Sequence, residues 1–191
     1  MAEAASNKAL SLAPQHALAH LRLGVVLILT NRAAQSIAEW ERALALDRNL
    51  AAHAHAWVGL AKVYNGRAVE TEAHVHEALR LSPRDAHLYV WLVIVGIAKF
   101  HLNADGEAVA WLRRSIEANR NHPVPHFWLA AASARLGALY EAKVAAQAGL
   151  VLNPGFTVRR ARSHSPSDNP IYLTGRARFY EGLRLAGVPE G

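Results

Sequence analysis

Cysteine is absent from the 191 residues, and methionine occurs once. The absence of cysteine excludes a disulfide scaffold, a thiol nucleophile, thiolate-held iron–sulfur clusters and Cys-ligated zinc. Charge is sparse, with 19% of residues charged against 52% apolar. That charged share lies below the roughly 25% of ordinary soluble proteins, so the chain is no disordered tail. Long apolar runs are missing as well. The longest, Leu88 to Ala98, has 11 residues and contains Gly96, short of the ~20 that span a bilayer. Met1 to Ser6 carries Glu3 and no basic stretch ahead of an apolar core, so no targeting segment is expected and the cytoplasm is the expected location. Catalytic signatures are lacking too. No Gly-x4-Gly-Lys-Ser/Thr loop and no His-Glu-x2-His pair occurs. Ser163-His164-Ser165 sets hydroxyls beside an imidazole, but without a third orienting group or a rigid elbow. No enzymatic activity, catalytic residue, cofactor or small-molecule substrate is expected.

What is present is a repeat. A small residue, an apolar one, any residue, an apolar one and two polar or turn residues recur five times. The copies are Ala9 to Pro14, Ala43 to Arg48, Ala78 to Pro83, Ser115 to Arg120 and Gly149 to Pro154, spaced 34, 35, 37 and 34 residues apart. Large–small pairs lie 24 residues before each later copy's end, at Leu23-Gly24, Val58-Gly59, Val95-Gly96 and Leu129-Ala130. Asn31, Gly66, Asn103 and Gly137 follow, residue types that tolerate a left-handed backbone, so turns are expected there. The second helices read Ser36-x3-Trp40-x2-Ala43, Thr71-x3-Val75-x2-Ala78, Ala108-x3-Leu112-x2-Ser115 and Ala142-x3-Ala146-x2-Gly149. Over residues 1–156 the chain resembles a tetratricopeptide-repeat protein, whose period is about 34 residues. It departs from that family at the leading tryptophan, replaced by His20, His55, Leu92 and His126, and at the central aromatic, replaced by Leu27, Lys62, Lys99 and Ser133.

The resemblance implies an all-α helix-turn-helix superhelix. Residues 1–14 hold the second helix of a truncated repeat, and residues 15–156 hold four repeats. Residues 157–169 form a basic, polar linker. Residues 170–191 form a capping helix that opens at Pro170 behind Asn169 and stops at Gly187 and Pro189. Ile171, Tyr172, Phe179, Leu183 and Leu185 give that helix apolar surface. Beginning on a half-repeat leaves an apolar face open, so the chain is expected to be cut from a longer protein. Glu72 to Asp85, Ser167 to Pro170 and Tyr180 to Glu190 also resemble the repeats behind the catalytic domain of bacterial class III adenylate/guanylate cyclase-like proteins. That likeness implies a regulatory role in signalling, with any catalytic domain upstream.

Eleven histidines suggest metal. Residues two apart on a helix point about 200° apart, so neither His53/His55 nor His74/His76 can chelate alone. His20, His55 and His126 stand where the family packs a tryptophan and are expected to pack rather than ligate; no metal site is expected. The formal charge of +6 splits evenly. Basic residues outnumber acidic ones 15 to 12 up to Thr157, and 6 to 3 from Val158 onward. No aromatic is interleaved among Arg159, Arg160 and Arg162, so nucleic-acid binding is not expected.

The resemblance places the partner groove on one stripe of each first helix. The candidates are Leu18, Leu21, Val25 and Ile28, then His53, Trp57, Leu60 and Tyr64. The third copy offers Val90, Val93, Ile94, Ile97, Phe100 and His101. The fourth offers Phe127, Trp128, Ala131 and Arg135. Helices apolar nearly all round are buried all round, so a partner helix or peptide, an upstream domain or a second copy of the chain is expected in this groove.

Overall fold

A computed structural model describes residues 2–163 and 165–191. The described residues form eleven α-helices and no strand. His164, the imidazole beside Ser163, lies outside the described residues. The chain divides into two compact units, Met1–Asp85 with Pro166–Asn169, and Ala86–Ser165 with Pro170–Gly191.

In the first unit α1 (Ala2–Leu12) packs on α2 (Ala17–Leu29), which pairs with α3 (Ala33–Leu46). The next hairpin joins α4 (Ala51–Tyr64) to α5 (Thr71–Leu81), and α3 packs on α4. In the second unit α6 (Leu88–His101) pairs with α7 (Asp105–Ala118), and α8 (Pro123–Arg135) with α9 (Leu139–Leu152). Two helices follow, α10 (Val158–Ser163) and α11 (Pro170–Leu185).

The hairpins turn at the four residues the sequence singles out. Asn31, Gly66, Asn103 and Gly137 take φ of 60°, 74°, 61° and 78°. The next residue's N–H then reaches back to a carbonyl in the last helical turn, Arg32 to Leu27 at 2.9 Å and Ala138 to Ser133 at 3.0 Å. This closure satisfies helix-end carbonyls that would otherwise be orphaned.

Close approach within each hairpin follows from the small residues. A Cβ on Gly24 would run into the Trp40 indole. Trp40 is fully buried there, and its Nε1 donates to the Leu21 carbonyl at 3.0 Å. A Cβ on Gly96 would lie 2.7 Å from Leu112 Cγ. The whole small–large–small face of α3, α5, α7 and α9 is buried, including the polar Ser36, Thr71 and Ser115. Their hydroxyls donate to the carbonyls of Ala33, Gly59 and Tyr89, so their burial costs little.

The histidines at the tryptophan positions pack into the helical layers. His20 is buried; its Nδ1 lies 2.6 Å from a Glu39 oxygen and its Nε2 2.9 Å from the Pro14 carbonyl. His126 is also buried, its Nε2 3.3 Å from the Arg120 carbonyl. His55 is half-buried against His74, their Nδ1 atoms 3.4 Å apart. Burial and the neighbouring His55 hold His74 below the usual imidazole range.

Residues 158–163, at the start of the expected linker, form α10. Val158 and Ala161 bury one face of α10. The backbone N–H groups of Val158 and Arg159 donate to the Pro189 and Glu190 carbonyls, both at 2.9 Å. In the first unit, Ser167 Oγ donates to the Tyr64 carbonyl at 2.7 Å and the Asn169 amide to the Asn65 carbonyl at 3.3 Å. These bonds occupy carbonyls at the end of α4, which an α-helix leaves unpaired.

Candidate functional site

The candidate residues fall into two environments. In the first unit Leu18 is 37% exposed and Leu29, on the same stripe, 72%. Leu21, Val25, His53, Trp57 and Tyr64 are half-buried. Ile28 and Leu60 belong to the core. Trp57 stacks on Trp40, ring centroids 6.0 Å apart. The first helices of this unit therefore present a partly open apolar face.

In the second unit the corresponding face is occupied. α11 packs mainly on α8 and also touches α6 and α9. Phe179 stacks on Trp128 at 4.0 Å and meets Phe100 edge-on at 6.4 Å. Tyr172 lies over His101 at 5.1 Å, the two planes only 8° apart. Ala131 faces Gly182, where a Cβ would come 2.7 Å from the Ala131 carbonyl oxygen. Gly175 admits the His101 ring in the same way. Polar bonds frame the apolar contact. Arg178 donates to the Phe100 carbonyl and to Asp105 Oδ2, both at 2.7 Å, and Arg135 to Glu181 at 3.0 Å.

The remaining candidates of this unit sit elsewhere. Val93, Ile94 and Ile97 are buried and Val90 is half-buried. Phe127 turns toward α9, stacking on Phe156 at 3.7 Å and filling the space at Gly149.

His101 carries the largest electrostatic perturbation of the site. Burial, with the Arg176 and Arg178 guanidiniums nearby, pushes its imidazole down to about 3. It is neutral at pH 7, and its Nε2 is buried with no hydrogen-bond partner among the described residues.

Sequence reasoning finds Tyr172, Phe179 and Leu183 on the buried side of α11; Ile171 and Leu185 remain 65% and 47% exposed. It misses Gly175, Gly182 and Arg178. The signal was present, because Tyr172, Gly175, Phe179 and Gly182 recur at the three- and four-residue steps of one helix face.

No family model and no curated protein matches the chain. Solved structures do. One is YrrB, described as a TPR protein with an unusual peptide-binding site, at 24% identity over 95% of this chain and 90% of that one, with a TM-score of 0.57. Another is PilW, a widely conserved type IV pilus biogenesis factor, at 20% identity over 95% and 87%, with a TM-score of 0.72. A third is MamA from AMB-1, at 19% identity over 87% and 92%, with a TM-score of 0.57. The fold is a tetratricopeptide-repeat helical solenoid. In tetratricopeptide-repeat terms α2, α4, α6 and α8 are first helices, and α3, α5, α7 and α9 second helices. Among the described residues no helix is long and apolar enough to cross a membrane.

Proposed function

We propose that this chain is a non-enzymatic protein-interaction module that receives an amphipathic partner helix on the apolar face of its first helices. The observation that carries the reading is internal. In the second unit that face already holds an amphipathic helix, α11, seated on Phe100, His101, Trp128 and Ala131. In the first unit the matching stripe of Leu18, Leu21, Val25, Trp57 and Tyr64 is only partly covered. Apolar surface shaped for a helix and left partly open marks an interaction site. The likeness to YrrB, whose description names a peptide-binding site, supports the same reading.

The test is photo-crosslinking from a benzophenone side chain at position 21 or 57 of the full chain, with position 42 on the far side of α3 as control. The expected result is one polypeptide captured from both stripe positions and lost in Leu18→Asp. Capture of a second copy of the chain would make the occupant a self-associating one. Crosslinks equal to those at the control position would overturn the reading. Regulation of an upstream cyclase-like domain rests on the sequence resemblance of residues 72–85, 167–170 and 180–190. It requires these 191 residues to make no cyclic nucleotide by themselves.

A further inference from the structure

Arg176 on α11 is the one buried arginine among the described residues, at 8% exposure. Its neighbours on the same helix pair with carboxylates: Arg178 with Asp105 and Arg184 with Glu190. Arg176 does not. Its Nε donates to Tyr180 Oη at 3.1 Å and its Nη2 to the Ala161 carbonyl at 2.7 Å. A guanidinium carries five N–H donors; three are left without a partner among the described residues. The cation rests instead on ring faces, 4.8 Å from the Tyr180 centroid, 4.9 Å from Phe179 and 5.7 Å from Trp128. Such contacts soften the burial of a charge but leave its net sign uncancelled.

This guanidinium lines a cavity of about 210 Å³. Two stacked aromatic pairs contribute the walls, Phe127 with Phe156 and Trp128 with Phe179. Ala161 and the 39%-exposed Val124 complete the lining. Among the described residues no acidic one lines the cavity, and α10 beside it carries Arg159, Arg160 and Arg162. The volume lies below the roughly 300–1,000 Å³ of sites for drug-sized ligands, which suits a body of about one ring. One buried positive charge balances one negative charge, and burying a second anionic group among apolar walls would be costly.

From this combination we infer that the Arg176 cavity is a binding site for a small aromatic monocarboxylate. The carboxylate takes the free N–H donors of Arg176, and the ring lies among Phe127, Phe156, Trp128 and Phe179. The site goes beyond the proposed helix-receiving face and is read by a ligand titration rather than by crosslinking, so either can fail without the other.

The experiment is calorimetric or NMR titration of the full chain with benzoate and phenylacetate, against benzamide as the neutral isostere. A tripeptide ending in phenylalanine, with its C-terminus free or amidated, distinguishes a peptide terminus from a free acid as the source of the carboxylate. The expected result is saturable 1:1 binding of the free acids, about tenfold or more tighter than benzamide, the worth of a charge-assisted hydrogen bond. Binding should weaken with added salt and disappear in Arg176→Met. Because Arg176→Met also removes a donor from the Ala161 carbonyl and from Tyr180 Oη, Val124→Trp provides a second variant that fills the mouth and leaves the guanidinium in place. It should retain the wild-type melting temperature and lose the ligand. Equal affinity for benzoate and benzamide, undiminished binding in folded Val124→Trp, or no saturable binding would overturn the inference. Tighter binding of the free tripeptide than of both small acids would overturn the choice of a free acid.

Discussion

At the scale of single residues, a few positions use their space fully. Trp40 is fully buried and its indole fills the notch at Gly24. Trp40→Ala should cost about 3–5 kcal/mol, the usual range for a large aromatic truncated in a core, measured by denaturant unfolding. Asn103 holds φ at 61° in the turn after α6. Asn103→Ala should destabilise by about 1 kcal/mol and Asn103→Gly by less, because alanine meets the left-handed penalty without the local side-chain hydrogen bonding that lets asparagine bear it, and glycine has no Cβ to meet it. These positions were legible in the sequence, since the left-handed turns and the small–large–small faces are local patterns repeated every 34 to 37 residues. The histidines were legible only in part. Their position predicts packing, but the pairing of His20 with Glu39 depends on a neighbouring helix.

At the scale of elements, α11 is the decisive one. Its existence and bounds follow from Pro170, Gly187 and Pro189, and a capping helix is expected on the last repeat, whereas its contact with α6 does not follow. Glycine weakens a helix when read alone, so Gly175 and Gly182 signal nothing until His101 and Ala131 stand against them. Gly182→Leu should lift α11 from α8, because the added side chain meets backbone rather than a movable side-chain end. Faster trypsin cleavage after Arg159, Arg160 and Arg162, with α2–α5 unaffected, would report it. His101 should make the same docking pH-dependent. Its imidazole sits at about 3 when covered, against an ordinary 6.5. The undocked state therefore binds more protons between those values, and docking is fully stable above pH 6.5 and weakens as pH falls toward 3. The slope is about 1.4 kcal/mol, or tenfold in the docking equilibrium, per pH unit. The His101→Phe variant should lose most of that slope.

At the scale of the whole molecule, composition takes on a different meaning. The 52% apolar content is spread over helical layers of two units, and part of it lies on the face of α6 and α8 that α11 covers. Of the six arginines from Val158 onward, Arg178 and Arg184 are bound to carboxylates and Arg176 is buried. A mobility-shift assay with single- or double-stranded nucleic acid should accordingly show no retardation at about 0.15 M salt, where exposed arginines are screened beyond ~8 Å. The most direct test of the central claim is hydrogen exchange, followed by mass spectrometry, on the full chain at pH 7 and pH 4. The claim is that the apolar face of the first helices is a seat for a helix. It predicts that peptides from residues 171–185 are protected at pH 7 as strongly as those from α8, and lose protection ahead of α8 at pH 4 after correction for intrinsic rates. Exchange of residues 171–185 at free-peptide rates at pH 7, with α6 and α8 still protected, would contradict it.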